Sequence, residues 1–323
     1  MRAIEVPEHG SADSMRLVDH DVPEPGPGQV RIRAEAIGVN FADIMQRRGT
    51  YPGGPEPPYV PGFEAAGVVD AVGEGVDFAE GDRVVGYPDG GAYREYALCP
   101  EGALFDVPAE IDAAEAAGFP VQFLTAHNCL FEWGGLEAGE RVLIHAAAGG
   151  VGSAAVQLAS RAGAEVFGTA SSDAKLEYVA ALGCEYPINY VESDFAEEIT
   201  RVTDGGGVDL VLDGVGGETH DRSYDALNHY GRVVAYGAAS GTVPRPDVWE
   251  LLFHNYSVVG FHLGQSMQHD PDRVLGAVPE LTALLAEGDV EINVGASFPL
   301  EAAADAHRLI EDRENVGKVV LTT

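Results

Sequence analysis

The stretch from Arg141 to Ala162 restricts the fold more than any other. Arg141-Val142-Leu143-Ile144-His145 is a short apolar strand. It runs into Ala146-Ala147-Ala148-Gly149-Gly150-Val151-Gly152, and a helical pattern follows over Ser153 to Ala162. A strand, a glycine turn and a helix in this order are what a dinucleotide-binding fold requires. Glycines let the backbone turn tightly and approach a pyrophosphate, and the helix N-terminus offers free N–H groups and partial positive charge. The usual G-x-G-x-x-G has Ala147 at its first position here, so the spacing alone matches imperfectly. The alternative is a βα turn with no ligand. A P-loop is excluded, because no Gly-Lys-Ser/Thr follows.

The surrounding pattern agrees. Glu165–Thr169, Val208–Asp213, Arg232–Tyr236 and Tyr256–Gly260 read as apolar strands, and Asp173–Leu182 reads as a helix. Strands alternating with helices predict βαβ units and a parallel sheet. Residues 1–121 are different. Val30–Ile37 alternates with period two, Gly62–Val72 and Asp82–Tyr87 read as further strands, and glycines and prolines punctuate the turns. That texture predicts a compact barrel-like domain. From about residue 266 the pattern loses regularity, and Gly317–Thr323 reads as a strand rejoining the first domain. The expected division is 1–121 with 266–323, and 122–265. The expected fold class is α/β, a β-barrel domain beside a doubly wound parallel sheet.

A second cofactor signal is a missing acid. Folds that prefer NAD commonly carry Asp or Glu at the end of the second strand, for the ribose 2′-hydroxyl. Here Glu165-Val166-Phe167-Gly168-Thr169 ends in Ala170-Ser171-Ser172; Asp173 comes later, then Lys175. Small hydroxyls and a cation suit a 2′-phosphate, so NADPH is the expected cofactor. The alternative for Lys175 is a solvated residue on the next helix. Lysine is scarce in this chain: 52 Asp and Glu face 19 Lys and Arg, a net charge of −33, and only Lys175 and Lys318 are lysines. Such a surface is tolerated where salt screens it, so a halophilic cytoplasm is expected, an ordinary acidic enzyme being the alternative. A nucleic-acid partner is disfavoured, since phosphates want a basic face. No apolar run approaches the roughly 20 residues of a membrane span, and the N-terminus has no signal-peptide h-region. Cys99, Cys129 and Cys184 lie far apart, which suggests neither a disulfide framework nor a metal cluster.

Several segments together resemble the quinone oxidoreductase branch of the medium-chain dehydrogenase/reductase superfamily. They are Gly38-Val39-Asn40-Phe41-Ala42-Asp43, Gly49-Thr50-Tyr51-Pro52, Pro61-Gly62-Phe63-Glu64-Ala65-Ala66-Gly67, Gly81-Asp82-Arg83-Val84, Ala146 to Gly152, Ile188-Asn189-Tyr190 and Gly317-Lys318-Val319-Val320. The resemblance covers nearly the whole chain. It implies a GroES-like catalytic domain beside a Rossmann domain, with cofactor in the cleft between them. Asn40, Phe41 and Thr125 would lie near the nicotinamide, and Gly149, Gly150 and Val151 at the pyrophosphate. Ser171 and Lys175 would hold the 2′-phosphate and Tyr190 the adenosine end. Gly237, Phe261 and Lys318 would complete the groove. A homodimer is a further implication.

Zinc enzymes of the same superfamily carry G-H-E where this chain reads Gly62-Phe63-Glu64, and phenylalanine cannot ligate zinc. Catalytic zinc needs about three protein ligands, and no such spacing occurs. Without a Lewis acid, simple alcohol–ketone interconversion is disfavoured, whereas a conjugated acceptor spreads its charge over a π-system. The expected activity is NADPH-dependent reduction of a quinone or α,β-unsaturated carbonyl, with Asn40 and Tyr51 as donors at the developing oxyanion. Met45 stands where relatives often carry an active-site tyrosine, and Tyr51 could equally be a cleft-lining aromatic. The rivals are an enoyl-thioester or enal reductase and a non-catalytic NADPH-binding protein. His127 and His145, in apolar stretches, are read as packed residues, and so is Cys184.

Overall fold

The computed structural model describes every residue except Ala109. The chain divides into two compact units, Met1–Val121 with Leu285–Thr323, and Gln122–Leu284. The return to the first unit falls at Leu285, later than the 266 expected from the fading pattern. The physical reason lies in three helices, Leu263–His269, Pro271–Leu275 and Val278–Glu287. The middle one packs on the second unit: the Arg273 guanidinium sits 4.2 Å from the Trp133 ring centre, and Asn128 donates to the Val274 carbonyl at 3.3 Å. Val274 and Leu281 are fully buried.

The first unit is built on a seven-stranded sheet. Its spine is Gln29–Val39, an eleven-residue strand whose N-terminal half alternates buried residues with half-buried or exposed ones. It pairs antiparallel with Glu64–Val72, Tyr96–Pro100 and Lys318–Thr322. The last pairing sets Val319 against Val39 and Val320 against Gly38, so the two chain ends of the unit close one sheet. Ile4, Val6, Ile37, Leu300, Val319 and Leu321 form the main core, and Val30, Ile32, Val69 and Val84 a second one.

The second unit holds a six-stranded sheet, parallel throughout. From one edge the strands are Tyr186–Asn189, Glu165–Ala170, Arg141–Ile144, Val208–Asp213, Leu227–Ala235 and Ser257–Gly260. In chain order this is 3-2-1-4-5-6, a doubly wound Rossmann sheet whose order reverses between Arg141–Ile144 and Val208–Asp213. Ligands of such sheets bind outside the carboxyl ends of the strands at that reversal. The two strands flanking it are apolar and almost wholly buried, as a sheet covered on both faces requires. The helix Gly150–Arg161 packs on Arg141–Ile144 and Glu165–Ala170 through small residues. A Cβ on Gly152 would lie 2.3 Å from the Ala146 carbonyl oxygen, so the close approach of helix to strand end needs glycine there.

His145 and Cys184 are packed residues, as expected. His145 is bonded to Thr169 and Ser223 through its two ring nitrogens, at 3.1 and 2.9 Å, and burial lowers its pKa to about 4. The Cys184 thiol is buried against the Val166 carbonyl.

Candidate functional site

In the second unit the chemistry-bearing residues gather along the carboxyl edge of the sheet. Gly149 begins the helix Gly150–Arg161 and caps it with no side chain. Ser153 N–H donates to the Gly149 carbonyl at 2.8 Å, so the intrahelical ladder starts there. The N–H groups of Gly150, Val151 and Gly152 precede the ladder and need an acceptor from outside the helix. Beside them the Gln122 carbonyl oxygen Oε1 is buried without a hydrogen-bond partner, and a Cβ on Gly150 would lie 2.6 Å from it. A backbone anion cradle next to an unpaired amide oxygen fits a dinucleotide pyrophosphate and its flanking hydroxyls. Thr125, one turn beyond Gln122 on the same helix, is buried.

The next strand ends at Ala170. Ser171 and Ser172 follow, and the helix Asp173–Ala181 starts with no side chain bonded at its cap, Ser172. Lys175 lies in that helix's first turn and is half-buried. Tyr190 N–H donates to the Ala170 carbonyl at 3.2 Å, and its side chain is exposed. So Ser171, Lys175 and Tyr190 come together at the ends of two neighbouring strands. Across the reversal, Asp213 closes the strand Val208–Asp213. Its buried carboxylate accepts from Val215 N–H, Gly216 N–H and His220 Nδ1, at 2.8 to 2.9 Å. Burial works against its charge, but these bonds and the nearby His145 prevail and hold its pKa below the usual range. This pins the turn after the strand. Gly237 sits against Gly214, and Phe261 N–H donates to the Ala235 carbonyl, with its ring 4.8 Å from that of Trp133.

In the first unit the site is a cluster of buried charge around Asn40. Gln29–Val39 ends at Asn40, and the helix Phe41–Arg48 begins there. Asp43 Oδ2 accepts from the Asn40 N–H at 2.8 Å and from the Tyr93 hydroxyl at 3.1 Å, and that hydroxyl is also 3.0 Å from His307 Nε2. Burial pushes Asp43 up to about 7, against the pull of Asn40 N–H and Lys318. Glu64, the first residue of its strand, is fully buried. Its carboxylate accepts from Lys318 Nζ, from Asn40 Nδ2 at 2.9 Å and from Val121 N–H at 2.8 Å. Lys318 Nζ also donates to Asn40 Oδ1 at 2.8 Å. Tyr51 is half-buried, its ring 5.8 Å from that of Phe63, and burial pushes its hydroxyl up to about 12. It remains a proton-bearing donor at any physiological pH.

The structure therefore brings Asn40 and Lys318 together, with Phe41 starting the adjacent helix. Sequence reasoning missed Glu64, Asp43, Tyr93, His307, Gln122 and Asp213. For Glu64 there was a signal: an acid opening the otherwise apolar run Ala65-Ala66-Gly67-Val68-Val69 demands a buried partner. Among the described residues no three His, Cys, Asp or Glu side chains group so as to hold a metal ion. Nor is any helix among them long and apolar enough to cross a membrane.

Residues 26–109 match the family described as alcohol dehydrogenase GroES-like domain, and residues 150–280 the family described as zinc-binding dehydrogenase. A 2-haloacrylate reductase from a Burkholderia species is 39% identical over 326 residues, covering 97% of this chain and 96% of that protein. The human synaptic vesicle membrane protein VAT-1 homolog is 38% identical over 341 residues, covering 99% and 86%. The crystal structure of Escherichia coli quinone oxidoreductase complexed with NADPH covers 100% of both chains at a TM-score of 0.93 and 32% identity.

Proposed function

This chain belongs to the medium-chain dehydrogenase/reductase superfamily, and on that premise we propose that it is a zinc-independent reductase of quinones or related conjugated carbonyls that uses NADPH. The observation that carries the reading is the carboxyl edge of the parallel sheet. There a side-chain-free helix start and the unpaired Gln122 oxygen lie beside a strand end that offers Ser171 and Lys175 in place of an acid. The solved relative complexed with NADPH supports the choice of cofactor.

Bound NADPH would supply the hydride, from C4 of its nicotinamide. The backbone of Gly149, Gly150 and Val151 would hold the pyrophosphate. Ser171 and Lys175 would hold the 2′-phosphate, Tyr190 the adenosine end, and Thr125, Gly237 and Phe261 the rest of the groove. Asn40 and Tyr51 would donate to the acceptor oxygen as charge develops on it, with Phe41 beside them. Phe63 in place of a ligand, and cysteines that are all buried, support zinc independence. The Burkholderia relative, named for reduction of a 2-haloacrylate, favours a second reading within the same chemistry, reduction of an α,β-unsaturated carbonyl or enoyl thioester. Three free, buried thiols fit a reducing cytoplasm. Trp249, Leu252 and Phe253, all exposed on the helix Val248–His254 beside the edge strand Ser257–Gly260, support a homodimer.

NADPH is expected to bind at least about tenfold more tightly than NADH, since one charge-assisted phosphate bond is worth roughly 1.5–3 kcal/mol. Titration of both cofactors into wild type and Lys175→Ala tests this. The substitution should weaken NADPH and leave NADH nearly unchanged. Equal affinities in wild type contradict the assignment.

A further inference from the structure

We propose that Lys318 and Glu64 form a positioning pair. They fix and polarise the Asn40 carboxamide so that one of its N–H groups is presented to the oxygen of the reducible acceptor. The inference rests on the reductase reading above, and it concerns what makes Asn40 a competent donor.

An asparagine carboxamide has two orientations of nearly equal shape, and only its partners choose between them. Here both partners are of one kind. The ammonium of Lys318 can only donate, and it meets Oδ1 at 2.8 Å. The carboxylate of Glu64 accepts from Nδ2 at 2.9 Å. The reversed orientation would set NH2 against ammonium and carbonyl against carboxylate, so the cluster permits one orientation only. Of the two Nδ2 hydrogens, one is committed to Glu64. The other has only a 3.5 Å contact with the Gly38 carbonyl, at the limit of a hydrogen bond. Asn40 is the half-buried member of the cluster, whereas Glu64 is fully buried and Lys318 is 3% exposed. Asn40 is thus the member of the cluster that keeps exposed surface.

The surroundings are shaped to hold this pair. A Cβ on Gly38 would lie 2.4 Å from Glu64 Oε1 and 2.3 Å from the Ala117 carbonyl oxygen, and one on Gly118 would lie 3.2 Å from Lys318 Cγ. Gly38 therefore leaves room for the carboxylate, and Gly118 for Ile292 and the lysine stem beside it. The third bond to Glu64, from Val121 N–H, satisfies its second oxygen. A buried ion pair is weak evidence for stability, because desolvation offsets most of the attraction, and such pairs are replaceable by apolar residues. A geometric role accounts for it better. Composition points the same way: this chain has 17 arginines and two lysines, and one of the two is buried here. The compact ammonium, with three rotatable donors, meets Oδ1 and Oε1 together. With Oδ1 bonded to a cation in a low-dielectric setting, the amide N–H becomes a stronger donor.

The test uses the full-length protein and three variants, Lys318→Met, Glu64→Gln and the double variant. In Lys318→Met, kcat for a quinone or enal should fall between about tenfold and the roughly 100-fold that loss of a donor costs. KM for NADPH should change little. The single variant also leaves a buried carboxylate uncompensated, so its thermal midpoint should drop. The double variant removes both charges and keeps an acceptor for Val121 N–H, so its midpoint should recover while kcat stays low. Recovery of kcat together with the midpoint would show that the pair is merely structural and overturn the proposal. A second readout needs no cofactor or substrate. The Asn40 side-chain amide resonances of the free protein, assigned through Asn40→Ala, should show two widely split protons and collapse toward ordinary asparagine values in Lys318→Met. Unchanged resonances overturn the proposal. If wild type reduces no conjugated acceptor, the reductase reading fails, and the resonances still decide whether the pair orients Asn40.

Discussion

Asn40→Ala is expected to lower kcat for reduction of a conjugated carbonyl by roughly 100- to 1,000-fold, the cost of one oxyanion donor, and to leave NADPH affinity nearly unchanged. The expectation follows from where the residue sits. Asn40 joins the strand Gln29–Val39 to the helix Phe41–Arg48, and its backbone N–H is held by Asp43 at 2.8 Å. The backbone frame therefore persists when the side chain is cut back, and the loss falls on the amide itself. Charge accumulates on the acceptor oxygen only as hydride arrives, so a donor aimed at it acts on the transition state and shows in kcat. Tyr51→Phe should cost less, because Tyr51 packs on Phe63 and keeps that contact without its hydroxyl. Steady-state and single-turnover kinetics with NADPH and a quinone check both variants. A raised KM with unchanged kcat in Asn40→Ala would mean that the residue only positions substrate.

The thermal midpoint should rise steeply from dilute buffer into molar KCl. Of the charges, 52 are carboxylates and 19 are Lys or Arg, and the cations are largely taken up in local pairs such as Arg2–Glu95, Arg31–Asp70, Arg222–Asp194 and Arg232–Glu140. The unpaired carboxylates repel one another across the surface. The Debye length shrinks from about 30 Å at 0.01 M to about 3 Å at 1 M, which removes most of that repulsion. For units of this size each kcal/mol relieved is worth about 2–4 °C in the midpoint. Melts across a KCl series decide it, and sedimentation in the same buffers should give twice the 34.0 kDa chain mass. A flat or falling midpoint removes the inference of a high-salt environment, and a monomer at high salt removes the dimer.

Much of the Rossmann unit could be read in the chain because its signals are local. Arg141–His145 is apolar and is followed at once by the glycine turn, and each later strand is an apolar run between helical or turn segments. The C-terminal helices were harder. Leu263–His269 and Pro271–Leu275 are short, and Val274 is their one buried apolar residue, so they leave no periodic stripe. The fading pattern therefore points to a return to the first unit earlier than the Leu285 at which it occurs. The site divides in the same way. Gly149, Ser171 and Lys175 follow strand ends and could be found by spacing. The Glu64–Lys318 bond joins residues 254 positions apart and Tyr93–His307 joins residues 214 apart, and neither is written in any local pattern. Lys318 was expected in the cofactor groove, and its bonds to Asn40 and Glu64 came only with the register of the last strand.

The central claim is direct hydride transfer from NADPH to a conjugated acceptor without a metal, and isotope transfer tests it most directly. Single turnover with NADPH deuterated at C4, in the presence of a chelator, should show a primary isotope effect with a quinone. With an enal, deuterium should appear at the β-carbon of the product. Turnover that is lost to the chelator, or product without label at the β-carbon, would contradict the account.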